Sequence, residues 1–475
     1  MGMTRQMKKN IKDKLQKIDK DHYSLLVDIG KVSKVQGLKS YLVGGMVRDL
    51  LLGFDNLDID IVIENNAKQL ADALVKKLPN CELAAKHDRF HTAKVIFNIN
   101  GKKIPIDLAS TREEIYEHSA ALPTVKISDL KKDLYRRDFT INALAVSILP
   151  EDFGEIVDLF DGLIDLKEKK IRVLHEGSFI DDPTRMIRAV RFACKPGFTI
   201  EENTQRFLKE AIESKQFDNL IEKIRGDRVK IEIRYLFNLP DIGNTIKAFF
   251  ESGIYRMVST SLRAEQERRP TGASVRAWQS PNVNEIASLQ QVTPRNDISA
   301  WLIYLALIMK DLNSDNREKI MKDLQLSGDE IKIIKDGFNT LNKLKEKKLV
   351  DSIIIYRELK NLSIESICIV KMLCVIARRF EEPTKQSQER ETVGEIASSG
   401  LCLPRNDVNE LTSLIDEYLN KTSKIKLEIT GQDLINMGVK EGKKIGEVLE
   451  KILEMKIKNP DMSKQNELVE AKKLI

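Results

Sequence analysis

The stretch LVGGMVRDLLLGFDNLDIDI at positions 42–61 limits what this chain can fold into more than any other. It reads as one strand–turn–helix–turn–strand unit. Gly44 and Gly45 lack side chains, so the backbone can approach a phosphate and present N–H groups to it. Arg48 falls one turn into the helix and complements the same negative charge. Asp58 and Asp60 sit in the apolar run from Leu57 to Ile63. On a strand that spacing points both carboxylates to one face, with Ile59 and Ile61 packing behind. Two aligned carboxylates are what a pair of Mg²⁺ ions uses for in-line phosphoryl or nucleotidyl transfer. A bare Asp-x-Asp reads more simply as two solvated acids. The complete unit is what singles out a nucleoside triphosphate.

A chain of 475 residues is long enough for several domains, roughly three or four on a length prior. No apolar run approaches the ~18–20 residues that span a bilayer, so no membrane partner is expected. The N-terminus is Lys-rich without an apolar core, unlike a secretory signal, and a cytoplasmic protein is expected. The five cysteines form no Cys-x-x-Cys pair, which argues against a zinc knuckle or a disulfide framework. Five histidines are too few for a His-Asp phosphohydrolase domain. The net charge of +6 suits a nucleic-acid partner and equally suits a Lys-rich soluble protein.

Strand patterns gather at 40–43, 57–63, 92–97 and 103–108, with a helix at 67–77 and a mixed stretch to 146. Beyond that the periodicity is helical, at 183–194, 202–213, 227–236, 298–312, 331–347 and 364–380. An α/β head followed by an all-α remainder is the natural division. Residues 109–129 read as a long functional loop. Two stretches, 261–296 and 381–393, read as linkers or surface insertions. The first is Arg-rich and holds Trp278, so a surface for RNA is an alternative there.

Three further elements bear chemistry. Asp107 is either a third acid beside the Asp-x-Asp or a strand-end cap. Arg136-Arg137-Asp138 offers phosphate neutralisation beside an acceptor for a ribose hydroxyl; read as a helix start, Asp138 is an N-cap. In DDPTRMIRAVRF, from Asp181 to Phe192, Pro183 at a first helical position makes Asp182 the N-cap, with Arg185 on the same face. Cytosine and adenine both show an amine donor beside an unprotonated ring nitrogen. Asp182 accepting and Arg185 donating would read both bases and reject guanine and uracil. Arg188 and Arg191 follow at helical spacing and reach toward a triphosphate or RNA backbone. A helix cap with a basic face explains the same residues.

Taken together and in this order, these elements resemble class II tRNA nucleotidyltransferases, the bacterial CCA-adding enzymes, and their poly(A) polymerase relatives. DLFDGLIDL at 158–166 is similar to the family's hinge motif, DRVKIEI at 227–233 to its fifth motif, and ITGQDLINMGVKEGKKIGEVL at 429–449 to a tail element. The likeness is dense over 40–235 and thin from about 250 to 425. Asp181 and Asp227 stand where the family usually has Glu, while Asp182 and Arg185 are retained.

The resemblance implies an α+β protein. A polymerase-β-like head with a small mixed β-sheet spans 1–147, and all-α neck, body and tail domains span 148–240, 241–380 and 381–475. It also implies template-independent addition of the 3′-terminal CCA to tRNA from CTP and ATP. Asp58 and Asp60 would be catalytic and hold Mg²⁺. Gly45, Arg48, Arg137 and Asp138 would bind the nucleotide together with Arg188 and Arg191, and Asp182 with Arg185 would select the base. The tail and body would hold the acceptor and TΨC arms. An A-adding enzyme or a poly(A) polymerase of the same family is the alternative, and the length of 109–129 favours adding the terminal A. An RNA-binding protein with a dead head is disfavoured by the intact acids. A small-molecule nucleotidyltransferase is disfavoured by the long helical remainder. Oligomeric state stays open.

Overall fold

Strict alternation builds the sheet that bears the acids. On β4 (Thr92–Ile99) the residues Ala93, Val95 and Phe97 are buried, and on β5 (Lys102–Ser110) so are Ile104, Ile106 and Leu108. The antiparallel register sets Ala93 against Leu108, Val95 against Ile106 and Phe97 against Ile104. A one-residue slip would turn this whole apolar face to water, so the register is fixed. Helix α4 (Ala67–Lys77) covers that side with Leu70 and Leu74, its first turn capped by Asn66, whose side chain accepts the Gln69 N–H at 3.1 Å.

The computed structural model describes residues 9–54, 57–115, 124–214, 226–255, 300–310, 312–347, 350–377, 405–440 and 442–475. They belong to two compact units, Met1–Arg263 and Ala264–Ile475. In the first, helices α1 (Lys12–Leu15) and α2 (Lys20–Val35) precede a seven-stranded sheet of order β3-β4-β5-β2-β1-β8-β9. The remaining strands are β1 (Ser40–Val43), β2 (Ile59–Ile63), β3 (Cys81–His87), β8 (Leu144–Ser147) and β9 (Ile156–Asp158). Only β2 and β5 run parallel, so the sheet is mixed, as expected.

Residues 109–129 differ from the expected loop. They contain a hairpin, β6 (Arg112–Ile115) against β7 (Thr124–Ile127), with Arg112 opposite Ile127. Three consecutive charges in β6 gave no alternation to read. Residues 116–123 and the stretches 261–296 and 381–393 lie outside the described residues.

Beyond the sheet come α5 (Leu130–Tyr135), α6 (Gly162–Glu168), α7 (Ser178–Asp181), α8 (Thr184–Ala193), α9 (Glu202–Glu213), α10 (Gly226–Phe237) and α11 (Ile242–Glu251). The hinge segment is pinned at both ends. Asp158 accepts the backbone N–H groups of Gly162 and Leu163, both at 2.9 Å, and Asp165 accepts the Thr140 hydroxyl at 2.6 Å. Gly162 is required here, because a Cβ would fall 2.3 Å from the Thr140 carbonyl oxygen.

The second unit is helical among the described residues. Helix Ala300–Ile308 is buried from Trp301 to Ile308 on every side, which marks it as the centre of a helical core. It packs against Gly328–Lys345 and Ile364–Ala377. Toward the C-terminus Ile429, Leu434, Val439, Val448, Ile452 and Ala471 form a separate small core. Lys456 beside it is buried and paired with the fully buried Glu467. No helix among the described residues is long and apolar enough to cross a membrane.

Two glycines give opposite expectations in thermal unfolding. Gly162→Ala should destabilise the first unit by about 1–3 kcal/mol through overpacking. Gly446→Ala, in helix Lys443–Lys458 with open space around it, should stabilise the second unit by up to about 1 kcal/mol. A neutral result at Gly162 would show that the hinge is not held as described.

Candidate active site

Strand β1 ends in Gly44, whose φ of 77° and ψ of −142° suit glycine alone, and α3 (Gly45–Leu52) follows. A Cβ on Gly44 would lie 3.4 Å from Asp60 Oδ2 and 3.8 Å from Arg137 Nη1. Main chain, carboxylate and guanidinium therefore converge on one spot. Strand β2 begins one residue after Asp58. Ile59 and Ile61 are buried while both acids face outward, as the spacing predicts. The parallel pairing of β2 with β5 sets Asp60 directly beside Asp107. Asp107 lies within β5 rather than at its end, so the third-acid reading fits and the cap does not. Its carboxylate pairs with Lys94 at 3.2 Å.

Asp60 is reached by solvent yet crowded by protein. Its carboxyl is raised above the ordinary range by desolvation first and then by Asp107, with Asp58 adding and Arg137 and Lys94 opposing. Such an all-oxygen, mutually repelling set suits a hard divalent cation, which would relieve the repulsion. Among the described residues no group of three or more acidic, imidazole or thiol side chains is already arranged around a metal position. Recruiting Asp107 would require it to leave Lys94.

The arginines are organised by carboxylates. Asp133, fully buried on α5, accepts from Arg136 Nη2 at 2.8 Å, Arg137 Nη2 at 3.0 Å and the Arg112 N–H at 3.3 Å. Burial opposes its charge, but Arg137 and Arg136 outweigh burial and hold its carboxyl below the ordinary value. Arg137 Nε is buried with no hydrogen-bond partner, as is Arg112 Nε. Arg137 thus lies against Gly44 and Asp60 with a donor in hand.

Three residues expected at the nucleotide, Arg48, Asp138 and Arg188, are engaged by other protein groups. Arg48 is buried, bonded to Asp49 through Nε at 2.7 Å and Nη2 at 2.8 Å and to Asn142 through Nη1 at 2.7 Å. Its guanidinium lies 4.9 Å from the centre of the Phe192 ring. It ties α3 to the core. Asp138 is neither an α-helix cap nor an open acceptor for ribose. Oδ1 accepts the Phe139 N–H and Asn142 Nδ2, and Oδ2 accepts Arg188 Nε and Nη2, which fills its four acceptor sites. A buried carboxylate takes the nearest guanidinium because an unpaired charge there costs far more.

Asp182 is extended (φ −135°, ψ 95°), and Pro183 already has helical dihedrals. Its Oδ1 accepts the Thr184 N–H at 3.1 Å and the Thr184 hydroxyl at 2.7 Å, capping α8 as expected. Its Oδ2 accepts Arg228 Nη2 at 2.6 Å. Arg185 is buried, donating to the Ser178 hydroxyl at 2.8 Å and the Arg136 carbonyl at 2.5 Å. Glu232 on α10 accepts Arg188 Nη1 at 2.9 Å and Arg191 Nε at 3.1 Å. Burial lowers the Arg191 pKa, Arg188 adds to that, and Glu232 offsets part of it.

With this geometry in place, comparison with known proteins gives one family. A family model described as the Poly A polymerase head domain matches residues 40–172, and one for tRNA nucleotidyltransferase domain 2 matches 292–471. A solved "CCA-adding enzyme apo form II" is 30% identical, with a TM-score of 0.72, over 98% of each chain. The chain belongs to the tRNA nucleotidyltransferase and poly(A) polymerase family. Within this family, the Thermotoga maritima CCA-adding enzyme complexed with tRNA is 29% identical with a TM-score of 0.72, again over 98% of each chain. The "A-adding tRNA nucleotidyltransferase" of Geobacter sulfurreducens is 29% identical over 94% of this chain. The chain spans about half of that relative's length, 46%.

The sequence reading missed Asp133, Arg228 and Glu232. Asp133 had a visible signal, standing three and four residues before Arg136 and Arg137, the spacing that brings side chains together at a helix end. Glu232 and Arg228 lie within the quoted DRVKIEI, but their partners are 41 to 46 residues away, and no local period marks such a pair.

Asp138 gives a pH test. Burial acts against its charge, but Arg188, Asn142 and the Phe139 N–H prevail and place its carboxyl at about 2. An unfolded Asp titrates near ~3.9. The resulting stabilisation is complete above that value and is lost as pH falls through about 2. Asp138→Asn should flatten stability against pH between those limits, and Arg188→Met should cost about 3–5 kcal/mol in denaturant by stranding Asp138, whose guanidinium partner it is. A loss under 1 kcal/mol would mean that the pair is not buried as described.

Proposed function

We propose that the chain adds nucleotides to the 3′ end of tRNA without a nucleic-acid template, completing CCA from CTP and ATP. The observation that carries this reading is the convergence of Asp60, paired across the sheet with Asp107, and Arg137 on the side-chain-free main chain at Gly44. Asp58 and Asp60 would hold Mg²⁺, which would supply charge neutralisation and lower the pKa of the attacking hydroxyl.

The chain's own residues bind and orient. The main chain at Gly44 and Gly45 and the spare donor of Arg137 hold the triphosphate, with Arg191 completing the positive rim. Asp182 and Arg185 are the base-reading pair. After its three protein bonds Asp182 keeps an acceptor position on Oδ2, and Arg185 keeps N–H donors beyond those given to Ser178 and Arg136. One acceptor beside one donor fits the edge shared by cytosine and adenine. Arg48, Asp138 and Arg188 brace this arrangement. We retain the head, neck, body and tail divisions at 1–147, 148–240, 241–380 and 381–475 as part of the proposal, with acceptor and TΨC arms on body and tail.

The full-CCA product is favoured by end-to-end likeness to an enzyme named CCA-adding. The A-adding name of the Geobacter relative favours a second reading, in which this chain adds only the final A.

Both readings require the acids. With Mg²⁺ present, Asp60→Ala should lower transfer by at least about a thousandfold, and near-normal turnover would overturn the proposal. Wild type offered tRNA ending at the discriminator base, at C or at CC, with single labelled nucleotides, should add C, then C, then A, and stop. Addition of A to the CC end with no C accepted at the discriminator selects the second reading.

A further inference from the structure

Next to the base-reading pair stands an aromatic pair with no task in the scheme above. Tyr135 ends α5 and is 46% exposed. Its ring lies 5.0 Å from that of His175 at an interplanar angle of 29°, and 5.7 Å from the tilted Phe160 ring. The ring is thus held in place by two aromatics while much of it remains open to solvent.

Its position gives the arrangement meaning. The residue after Tyr135, Arg136, provides the carbonyl that accepts Arg185 Nη2 at 2.5 Å. His175 Nε2 is 3.6 Å from Asp181 Oδ2, and Asp181 directly precedes Asp182. His175 therefore meets the residue that precedes Asp182, and Tyr135 precedes the residue whose carbonyl holds Arg185. Burial lowers the His175 pKa; Asp181 pulls the other way, Arg185 adds to the lowering, and Glu176 opposes it weakly. A neutral imidazole backs the tyrosine without adding charge.

The geometry points to Tyr135, backed by His175, as a stacking platform for the unpaired nucleobase at the 3′ end of the acceptor RNA. The inference rests on the proposed transfer activity and adds to it a subsite for the acceptor end. Every base offers a π face, so the platform accepts an end whose last base changes as nucleotides are added. Stacked there, the end is held next to the incoming base without being read, which leaves selection to Asp182 and Arg185.

The test uses the full chain and hairpin RNAs with a single-stranded 3′ end, whose last nucleotide either bears a base or is abasic. Tyr135→Ala and Tyr135→Leu should each lower kcat/KM on the base-bearing RNA by about tenfold or more. They should leave the abasic RNA little changed, and Tyr135→Phe should restore the wild-type value. Equal loss on both RNAs, or a Tyr135→Leu variant as active as Tyr135→Phe, would overturn the platform and leave only packing. If wild type transfers nothing to any RNA, the proposed function fails instead. Equilibrium binding of the same two RNAs then decides the platform. A wild-type preference for the base-bearing end that Tyr135→Ala abolishes supports it, and equal binding of the two ends by wild type refutes it.

Discussion

The buried pairing of arginines with carboxylates is the interaction on which the rest of this active site depends. Asp133 gathers Arg136, Arg137 and the backbone of β6, and Asp138 takes Arg188. Glu232 holds Arg188 and Arg191 from α10, and Asp182 takes Arg228 from the same helix. Removing a carboxylate would leave one or two arginines without their match, so these pairs fix geometry more firmly than their net energy suggests. The sheet, α5, α8 and α10 are fastened to one another by these pairs. Most of the arginine donors here are taken up by these carboxylates, and Arg137 Nε is left over.

Those leftovers define the division of labour. Arg137, with an unmatched Nε, lies against Gly44 and Asp60. Asp60 is kept from ionising easily by desolvation and by Asp107, a tension that bound cations would remove. Arg48 and Asp138 look like ligands by residue type and have become struts by position. Burial with a matched partner, not chemical identity, separates the two roles.

Much of the fold was legible because it rests on local periodicity. β1 was expected at 40–43 and α4 at 67–77, both as found, and α9 likewise at 202–213. The alternation around Asp58 and Asp60 correctly placed both acids outward over buried isoleucines. The hairpin inside 109–129 escaped because β6 is nearly all charge. In the site, sequence named the residues that gather there but not which of them would be tied up. Arg188 meets Asp138 from 50 residues away, and Asp60 meets Asp107 through a parallel pairing that no local pattern encodes.

The central claim is that selection without a template comes from one acceptor and one donor held ready by protein contacts. Relative kcat/KM for CTP, ATP, GTP and UTP, in wild type and in Asp182→Asn, tests it most directly. Wild type should prefer C and A. The variant, which keeps a polar group opposite Arg228 but alters the acceptor, should lose about 1–3 kcal/mol of that discrimination. A uniform fall for all four nucleotides, with their ranking unchanged, would contradict the account and leave α8 as a basic face.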